Sequence, residues 1–475
     1  MLFNSIPYFI LFLLTYILYW NVEQKFRKSI LITSSILFYA YFSFPFLFHF
    51  LAVILINYGF SEWIFKRKQL GKSNRWVIVG IVLLNVINLG FFKYFYFVTG
   101  TLYSLFGDES IKSFAQSWNI FLPLAISFYT FQIIAIQIDI DRGILKERVK
   151  FQDYFLFILF FPQLIAGPIM RSDNFIPQID HPEIDDDRMK KGLFLILGGL
   201  FKKVVIAENI APIIAPIYLE PDKYDSFSLF FSTMAFATQV YCDFSGYTDI
   251  ARGSANLLGY EIPENFKGPF LAQSYRDLWS RWHITLSSWL RDYLYIPLGG
   301  NQGSVFRSNL NMFITMCLGG LWHGANWAFV GWGAYLGAFL WIERSIYLFR
   351  GKKKILPDSL PGVWWIRFLF VYFTFSFSGI FFRSAARGDE AMPTVWAVFK
   401  GILTFRDSGD TLDRSDELPL LILLGLFFNW LQYSDWMYEK CKPYQNYLLP
   451  FLSVILFLLL GIFGDGGQDF IYFQF

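Results

Sequence analysis

The sequence carries little charge for its length. Of its 475 residues, 16% are Asp, Glu, Lys or Arg, against about 25% in an ordinary soluble domain. Apolar residues make up 55% and aromatic residues 21%, a composition that does not suit a water-exposed surface. The net charge is only +3, so nothing supports nucleic-acid binding, which needs a strongly basic face. The low charge argues against a soluble protein and indicates a membrane protein.

Cysteine is scarce as well, and several catalytic signatures are missing. Cys242, Cys317 and Cys441 are widely spaced and form no CxxC or Cys/His metal pattern, so we expect neither disulfides nor structural zinc. The sequence contains no GxSxG, no GxxxxGK[ST] and no histidine-rich metal spacing. These absences weigh against a serine hydrolase, an NTPase and a metalloenzyme.

Long apolar runs recur along the chain, and several approach the ~20 residues needed to cross a bilayer. They predict spans near residues 5–20, 29–42, 46–64, 76–98, 118–138, 191–217, 227–250, 309–323, 326–349, 363–383, 418–432 and 447–464. Two further stretches, 151–168 and 275–298, contain proline or several charges and are predicted to be re-entrant or interfacial. The predicted fold class is all-α and polytopic, with about 11 to 12 transmembrane helices in one membrane domain over residues 1–475.

Lys and Arg collect in alternate loops, as the positive-inside rule requires. The basic loops lie around residues 25–28, 66–75, 142–150 and 350–354, whereas the loops between them hold few basic residues. This pattern predicts a multi-pass protein of the cell membrane with both termini outside the cytoplasm. No basic residue precedes the first apolar run, so we expect a retained span there and not a signal peptide.

Only four histidines are present, and His323 has the most unusual surroundings. It lies in GGLWHGANWAFVGWG, a glycine-rich break between an apolar segment that starts near Arg307 and one that returns to Arg350. The charge pattern places this break in the middle or outer part of the membrane. An ionisable residue there is a functional candidate, and a neutral imidazole can take a proton from a hydroxyl. A histidine that only links two helices explains the pattern equally well.

His283 lies in the segment RDLWSRWHITLSSWLRDYLYIPLGG. Its interleaved tryptophans and charges are typical of an amphipathic segment at the cytoplasmic interface. Arg281 and Arg291 could bind the phosphates of coenzyme A or of a carrier-bound phosphopantetheine, because guanidinium groups pair well with phosphate. Spacing alone favours the simpler role of anchoring lipid headgroups.

A further polar group, Asp243, Ser245 and Asp249, stands at the inner end of an apolar helix. These residues could hold His283 or its loop in place. Termination of the helix at Gly246 explains them at least as well.

These segments together resemble the membrane-bound O-acyltransferase family, within it the bacterial alginate O-acetyltransferases and teichoic-acid D-alanyl transferases. The resemblance covers nearly the whole chain. It rests on long motifs in the same order, namely FFKYFYF, LPLAISFYTFQ, FFPQLIAGPIMR, DFSGYTDIARG, NFKGPFLAQSYRDLWSRWHITLSSWLRDYLYIPLGGN, GGLWHGANWAFVGWGAYLG and FIYFQF. It implies helices around a central tunnel in which a cytoplasmic acyl thioester meets an external hydroxyl acceptor. His323 matches the family histidine and His283 the second histidine.

The resemblance also implies roles and partners. His323 and His283 would be the catalytic residues, with His323 as the general base, and neighbouring donors would stabilise the oxyanion or orient the ring. The supporting or donor-binding candidates are Trp322, Asn326, Arg281, Arg291 and Asp243. No metal or tightly bound cofactor is implied, and acetyl-CoA or an acyl carrier protein is the expected donor. The expected partners are an extracytoplasmic acyltransferase protein and a polysaccharide such as alginate, and acetyl is the expected acyl group.

One segment departs from the family pattern. TFSFSGIFFRSA keeps Phe381, Phe382 and Arg383 but lacks the Trp that the alginate branch usually places before the paired Phe. The acceptor is therefore open, and acylation of teichoic acid or peptidoglycan is an alternative. A transporter or flippase is an alternative from another class, for which repeat symmetry or paired acidic residues in mid-span would be expected.

Overall fold

The computed structural model describes residues 3–165, 167–351, 361–433 and 440–463. Every regular segment within those ranges is helical, and one isolated bridge joins Tyr224 to Asp410. The chain forms two compact units, Met1–Ile196 with Ile250–Pro263, and Leu197–Asp249 with Glu264–Phe475. The basic residues at 352–354 and the closing motif at 470–475 lie outside the described residues. A single domain over the whole chain stays a prediction.

The first unit is built on helices that pack around one deeply buried helix. Its helices are α1 (Ile6–Asn21), α2 (Gln24–Phe42), α3 (Phe44–Gln69), α4 (Arg75–Leu89), α5 (Phe95–Phe106), α6 (Glu109–Gln116), α7 (Ile126–Arg142), α8 (Phe151–Leu159) and α9 (Ser172–Phe175), with the start of α10 (Asp186–Leu200). Almost all of α7 is buried. Hydrogen bonds between polar side chains link α7 to the helices around it. Asn57 of α3 and Asn85 of α4 hydrogen-bond each other, and Gln137 of α7 donates to the Asn57 carbonyl at 2.8 Å. Such hydrogen bonds satisfy polar groups that would otherwise be buried among apolar side chains without a partner.

The second unit contains the two histidine segments. Its helices are α11 (Glu208–Leu219), α12 (Ser226–Leu257, with residues 250–257 in the first unit), α13 (Tyr275–Trp279), α14 (Ile284–Leu290), α15 (Val305–His323), α16 (Trp327–Phe349), α17 (Val363–Ser384), α18 (Ala391–Leu403), α19 (Leu418–Tyr433) and α20 (Gln445–Phe463). Among the described residues, π-helical turns interrupt the helices at Gly90–Tyr94 in the first unit and at Phe201–Ala207 and Arg291–Tyr295 in the second.

The all-α polytopic fold class is confirmed, because each of the twelve predicted spans overlaps helix in the described residues. By length and composition, four helical stretches of the described chain can cross a membrane: Phe44–Gln69, Arg75–Phe106, Val363–Leu403 and Lys442–Phe463. Two shorter apolar helices, Ile6–Asn21 and Leu418–Tyr433, add to them. The number of crossings and the central tunnel stay predictions.

One predicted helix begins later than its apolar run. The span predicted to start at residue 118 starts at Ile126, and the residue before it, Ala125, has a left-handed φ of 59°. Pro123 removes a backbone donor just ahead of that point, so the helix cannot extend backward through it. The two stretches predicted to be re-entrant or interfacial are each broken by non-helical residues, and their place relative to the membrane stays a prediction. α8 ends at Leu159, and residues 275–298 form short helical pieces.

Candidate active site

A tight hairpin of α15 and α16 places His323 at its turn. α15 ends at His323 because the next residue, Gly324, is extended, with φ −168° and ψ 154°. Asn326 then caps α16, its Oδ1 accepting a hydrogen bond from the Ala328 amide at 2.8 Å. Its Nδ2 donates to the Gly388 carbonyl at 2.9 Å. These hydrogen bonds show that Asn326 fixes the turn. That it also stabilises the oxyanion or orients the imidazole ring stays a prediction.

Glycines allow the two arms of this hairpin to approach backbone to backbone. A Cβ atom at Gly320 would collide with the Phe329 carbonyl, and one at Gly333 would collide with the Met316 carbonyl. Small residues serve this purpose where membrane helices touch. The hairpin therefore has little freedom to shift, and the orientation of His323 at its turn is fixed.

His323 is buried in a cage of aromatic rings, with 6% of its surface exposed. The ring centroids of Trp322 and Trp332 are each 5.0 Å from its own, both close to perpendicular. Phe382 packs on it at 5.4 Å. Of the retained pair in α17, it is Phe382 that touches the histidine, whereas Phe381 packs against Tyr335. The cage holds the imidazole and excludes bulk water.

His283 has a strained backbone at the start of α14. Its φ of 45° and ψ of 52° lie in the left-handed region, which is costly for a non-glycine residue and often marks functional sites. Its Nδ1 atom lies 3.1 Å from Oδ1 of Asn265. The same oxygen accepts hydrogen bonds from the Thr285 amide at 3.2 Å and hydroxyl at 2.9 Å.

These contacts fix the tautomer of the neutral His283 ring. The Thr285 amide can only donate, so the Asn265 atom that faces it is the oxygen, which can only accept. Nδ1 of His283 therefore carries the hydrogen, and Nε2 keeps its lone pair. The buried Nε2 atom has no hydrogen-bond partner within the part of the chain that the structure describes. It can accept a hydrogen bond from a bound group.

The two histidines, 40 residues apart in sequence, come together in this unit. Their ring centroids are 6.4 Å apart and inclined by 59°. Trp322 lies 6.2 Å from the His283 ring and 5.0 Å from the His323 ring. The residues on which the sequence hypothesis centred thus form one aromatic and imidazole cluster.

A small cavity adjoins this cluster. Its volume is about 20 Å³, and its wall includes Phe236, Trp332, Phe375, Ser378, Gly379 and Phe382. Trp332 and Phe382 are the same rings that contact His323. These two rings lie between the cavity and the imidazole, because His323 itself is not among the residues that line the cavity.

The two predicted donor-binding arginines have protein partners. Nε of Arg281 bonds Asp277 at 2.7 Å, and its guanidinium lies 4.8 Å from the Tyr433 ring centroid. Arg291 bonds both carboxylate oxygens of Asp292, at 2.7 and 3.2 Å, and its side chain is 64% exposed. Arg291 is thus accessible to a phosphate, while Arg281 braces its own segment. Their donor-binding roles stay predictions.

Asp243 of α12 lies in a buried charge network. Lys203, in the π-helical turn Phe201–Ala207, bonds Asp243 at 2.7 Å and Glu208 at 3.4 Å. Lys202 bonds Asp249 at 2.6 Å and Ser245 at 3.0 Å. The sequence suggested that Asp243 could hold His283, yet the residue that packs on the His283 ring is its neighbour Phe244, at 4.7 Å.

Three residues of the site region escaped the sequence hypothesis as candidates. Asn265 lies inside a motif, but its role is visible only in the structure, where its side chain lies next to that of His283. Lys202 and Lys203 lie in an apolar run. Two adjacent lysines there indicate that acidic partners lie nearby, because charges inside a membrane are costly unless they are paired. The sequence shows the charges, whereas the pairing is visible only in the structure.

The segments that form this cluster are similar to those of known proteins. The model of the membrane-bound O-acyltransferase family matches residues 141–383, which include both histidines. A "probable alginate O-acetylase AlgI" of Azotobacter vinelandii is 35% identical over 413 residues, 86% of this chain and 79% of that protein. A "peptidoglycan O-acetyltransferase" of Helicobacter pylori is 31% identical over 95% of this chain and 92% of its own length. A "teichoic acid D-alanyltransferase" of Streptococcus thermophilus is 28% identical over 66% and 77%.

These matches confirm the resemblance inferred from the motifs. The family model covers half of the chain, and the relatives named above extend the likeness over most of the remainder. Their names share one chemistry, the transfer of an acyl group. The transporter alternative loses its support accordingly. The chain belongs to the membrane-bound O-acyltransferase family and is a membrane O-acyltransferase.

Proposed function

We propose that this enzyme transfers an acyl group from a cytoplasmic thioester to a hydroxyl of an extracytoplasmic polysaccharide, with His323 as general base. The donor would be acetyl-CoA or an acyl carrier protein, and no tightly bound cofactor is needed. The observation that carries the proposal is the buried pair of His323 and His283, with ring centroids 6.4 Å apart, inside the range matched by the family model.

The proposed reaction is a single acyl transfer. The acceptor oxygen forms a bond to the thioester carbonyl carbon while its proton passes to His323. The carbon–sulfur bond then breaks, and the leaving thiolate receives that proton. Thioester and hydroxyl become ester and thiol, so atoms and charges balance without another reactant. The lone pair on Nε2 of His283 accepts a hydrogen bond from the acyl donor and so helps to hold it.

The surroundings of His323 support this role. Aromatic rings shield it from water, which favours the neutral base and limits hydrolysis of the thioester. The hairpin turn that carries it is at the opposite end of α16 from Arg350, and the basic loop that begins at Arg350 is expected to face the cytoplasm. The protein would thus lie in the cell membrane with both termini outside, and the acyl group would pass to an acceptor or an acyltransferase partner on that side.

Replacement of His323 tests the proposal. We expect His323→Ala in purified enzyme to lower acceptor-dependent thioester consumption by about 10²- to 10⁴-fold, the usual contribution of a general base. His49→Ala is the matched control, because His49 lies in α3 of the other unit, bonded to Asn88 at 3.0 Å, and should keep its activity. Full turnover by folded His323→Ala protein would refute the role.

Alginate and peptidoglycan are the acceptors that the more similar relatives support, and teichoic acid stays a further alternative. Alginate is supported by relatives at 35% identity. Peptidoglycan is supported by the Helicobacter pylori relative, which matches 95% of this chain and 92% of its own length. Supplying radiolabelled acetyl thioester together with each polymer and the extracytoplasmic partner would decide between them, since label should appear as ester in one polymer only.

A further inference from the structure

Besides its direct contacts, the position of His283 depends on α13, the short helix that precedes it. Only Ser280, Arg281 and Trp282 separate the helix from the histidine. The amides of Arg281 and Trp282 both donate to the Leu278 carbonyl of α13, at 3.0 and 2.8 Å, so this connection is a hydrogen-bonded turn with little slack. A displacement of α13 would therefore carry the His283 ring with it.

α13 is docked along one face of α16. Tyr275 stacks on Phe339 with ring centroids 4.7 Å apart, and Trp279 meets Trp332 edge-on at 6.3 Å. Phe339 follows Trp332 by two helical turns, so both lie on the same side of α16. Trp332 is also one of the rings around His323. One face of α16 thus contacts both α13 and the ring of His323.

Glu343, one turn further along the same face, holds the start of α13. Its carboxylate accepts hydrogen bonds from the Tyr275 amide at 2.6 Å and from the Arg276 amide at 3.4 Å. The hydroxyl of Ser274 accepts from the next amide, that of Asp277, at 3.0 Å. The first amides of a helix have no acceptor within the helix itself, so Glu343 supplies acceptors that α13 lacks.

The residue after Glu343 holds the chain on the other side of His283. Nη1 of Arg344 donates to the Tyr295 hydroxyl at 3.3 Å, in the π-helical turn that follows α14. The last turns of α16 therefore anchor the chain both before and after His283. A left-handed backbone such as that of His283 persists only when its surroundings over-determine it, and these two anchors are part of those surroundings.

From these contacts we infer that Glu343 is a positioning residue, whose carboxylate fixes α13 on α16 and thereby sets the His283 imidazole beside His323. The inference rests on the proposed role of His283 in holding the acyl donor, and it adds the residue that aligns this histidine. Without the carboxylate, the amide of the buried Tyr275 loses its acceptor, which is costly for a buried donor. α13 then shifts, and Nε2 of His283 is displaced from the thioester.

Steady-state kinetics test this role, because KM does not depend on the amount of folded enzyme. Glu343→Ala should raise KM for acetyl-coenzyme A by about tenfold or more and leave KM for the acceptor unchanged. Glu343→Gln keeps a carbonyl oxygen for the Tyr275 amide and should stay within about threefold of the wild type. Glu343→Asp keeps the charge but is one methylene shorter, so it should behave like Glu343→Ala.

Glu62→Ala is the matched control. Glu62 is likewise a half-buried carboxylate close to the end of its helix, in α3 of the other unit, and it accepts from Nε of Arg148 at 2.8 Å. This variant should keep both KM values even where its stability falls. An unchanged KM for acetyl-coenzyme A in folded Glu343→Ala protein, or an equal rise in Glu62→Ala, would overturn the inference.

A measurement without turnover separates this inference from the proposed function. The chain has four histidines, so enzyme labelled with ¹⁵N-histidine gives few imidazole signals, and those of His283 are assigned by their loss in a His283→Gln variant. Glu343→Ala should shift the Nδ1 and Nε2 signals of His283, whereas Glu62→Ala should leave them in place. Unshifted signals in folded Glu343→Ala protein would contradict the positioning role. If the proposed acyl transfer were wrong, thioester consumption would not depend on His323, whichever way these signals move.

Discussion

The tautomer of His283 depends on a single side chain. Asn265→Ala removes the oxygen that accepts from Nδ1 of His283 and from both donors of Thr285. Each buried donor left without a partner costs about 1–3 kcal/mol, and the ring loses its orientation. We expect at least about tenfold lower turnover per folded enzyme in an assay of thioester consumption.

The control for this variant is another buried asparagine of the same unit. Asn429 accepts a hydrogen bond from the Phe270 amide at 3.1 Å through Oδ1, so its side chain holds another segment of the unit. Asn429→Ala should also lose stability but keep its turnover per folded molecule. Equal loss of turnover in both variants would mean that Asn265 acts on stability alone.

The sequence was informative about single residues when their type was unusual for their surroundings. His323 and His283 stood out as imidazoles among apolar segments, and both lie in the cluster. Asn265 did not stand out, because an asparagine next to a proline- and glycine-rich loop is ordinary. Its importance comes from a contact with a residue 18 positions further along the chain, across loops and the short helix α13, which no periodicity reports.

At the scale of elements, the π-helical turn Phe201–Ala207 is held to α12 by buried charges. Lys203 is fully buried and bonds two carboxylates, Asp243 and Glu208. Lys203→Ala leaves both carboxylates buried without this cation, and breaking such a pair costs roughly 3–5 kcal/mol. We expect a large fall in the unfolding temperature of the enzyme in detergent.

Two comparisons make this prediction specific. Lys223→Ala breaks an exposed pair with Glu220, whose side chains are 58% and 60% exposed, and should change the unfolding temperature little, because solvent screens such pairs. A double variant that carries both Lys203→Asp and Asp243→Lys keeps the pair with its charges swapped, and it should recover part of the stability that Lys203→Ala loses. Similar melting of the Lys203→Ala and Lys223→Ala variants would contradict the role of the buried network.

Helix existence was easier to predict than helix ends. The apolar runs are long enough that each predicted span fell on helix, because length and composition dominate there. The ends depend on local chemistry. α7 begins at Ile126 owing to the left-handed Ala125, and α15 ends at His323 because Gly324 is extended. The short helices α13 and α14 could be expected only as irregular chain, since seven residues or fewer carry too little periodicity.

For the whole molecule, the distribution of charge predicts how the chain is oriented in the membrane. The loop between α3 and α4 is basic, whereas residues 407–417 are largely acidic. If the positive-inside rule governs this chain, the first loop faces the cytoplasm and the second lies outside. The same orientation puts the hairpin turn of His323 toward the outer side, so that the transferred acyl group leaves the cytoplasm during the reaction.

Single cysteines test this orientation. Ser73 and Ser408 are exposed residues of the two loops, so Ser73→Cys and Ser408→Cys should both react with maleimide once the membrane is permeabilised. The three native cysteines are replaced by alanine beforehand. In intact cells a membrane-impermeant maleimide should label Ser408→Cys and spare Ser73→Cys, because only one loop is accessible from outside. The reverse pattern would place the basic loops outside and would require the acyl donor to reach His323 from the other face.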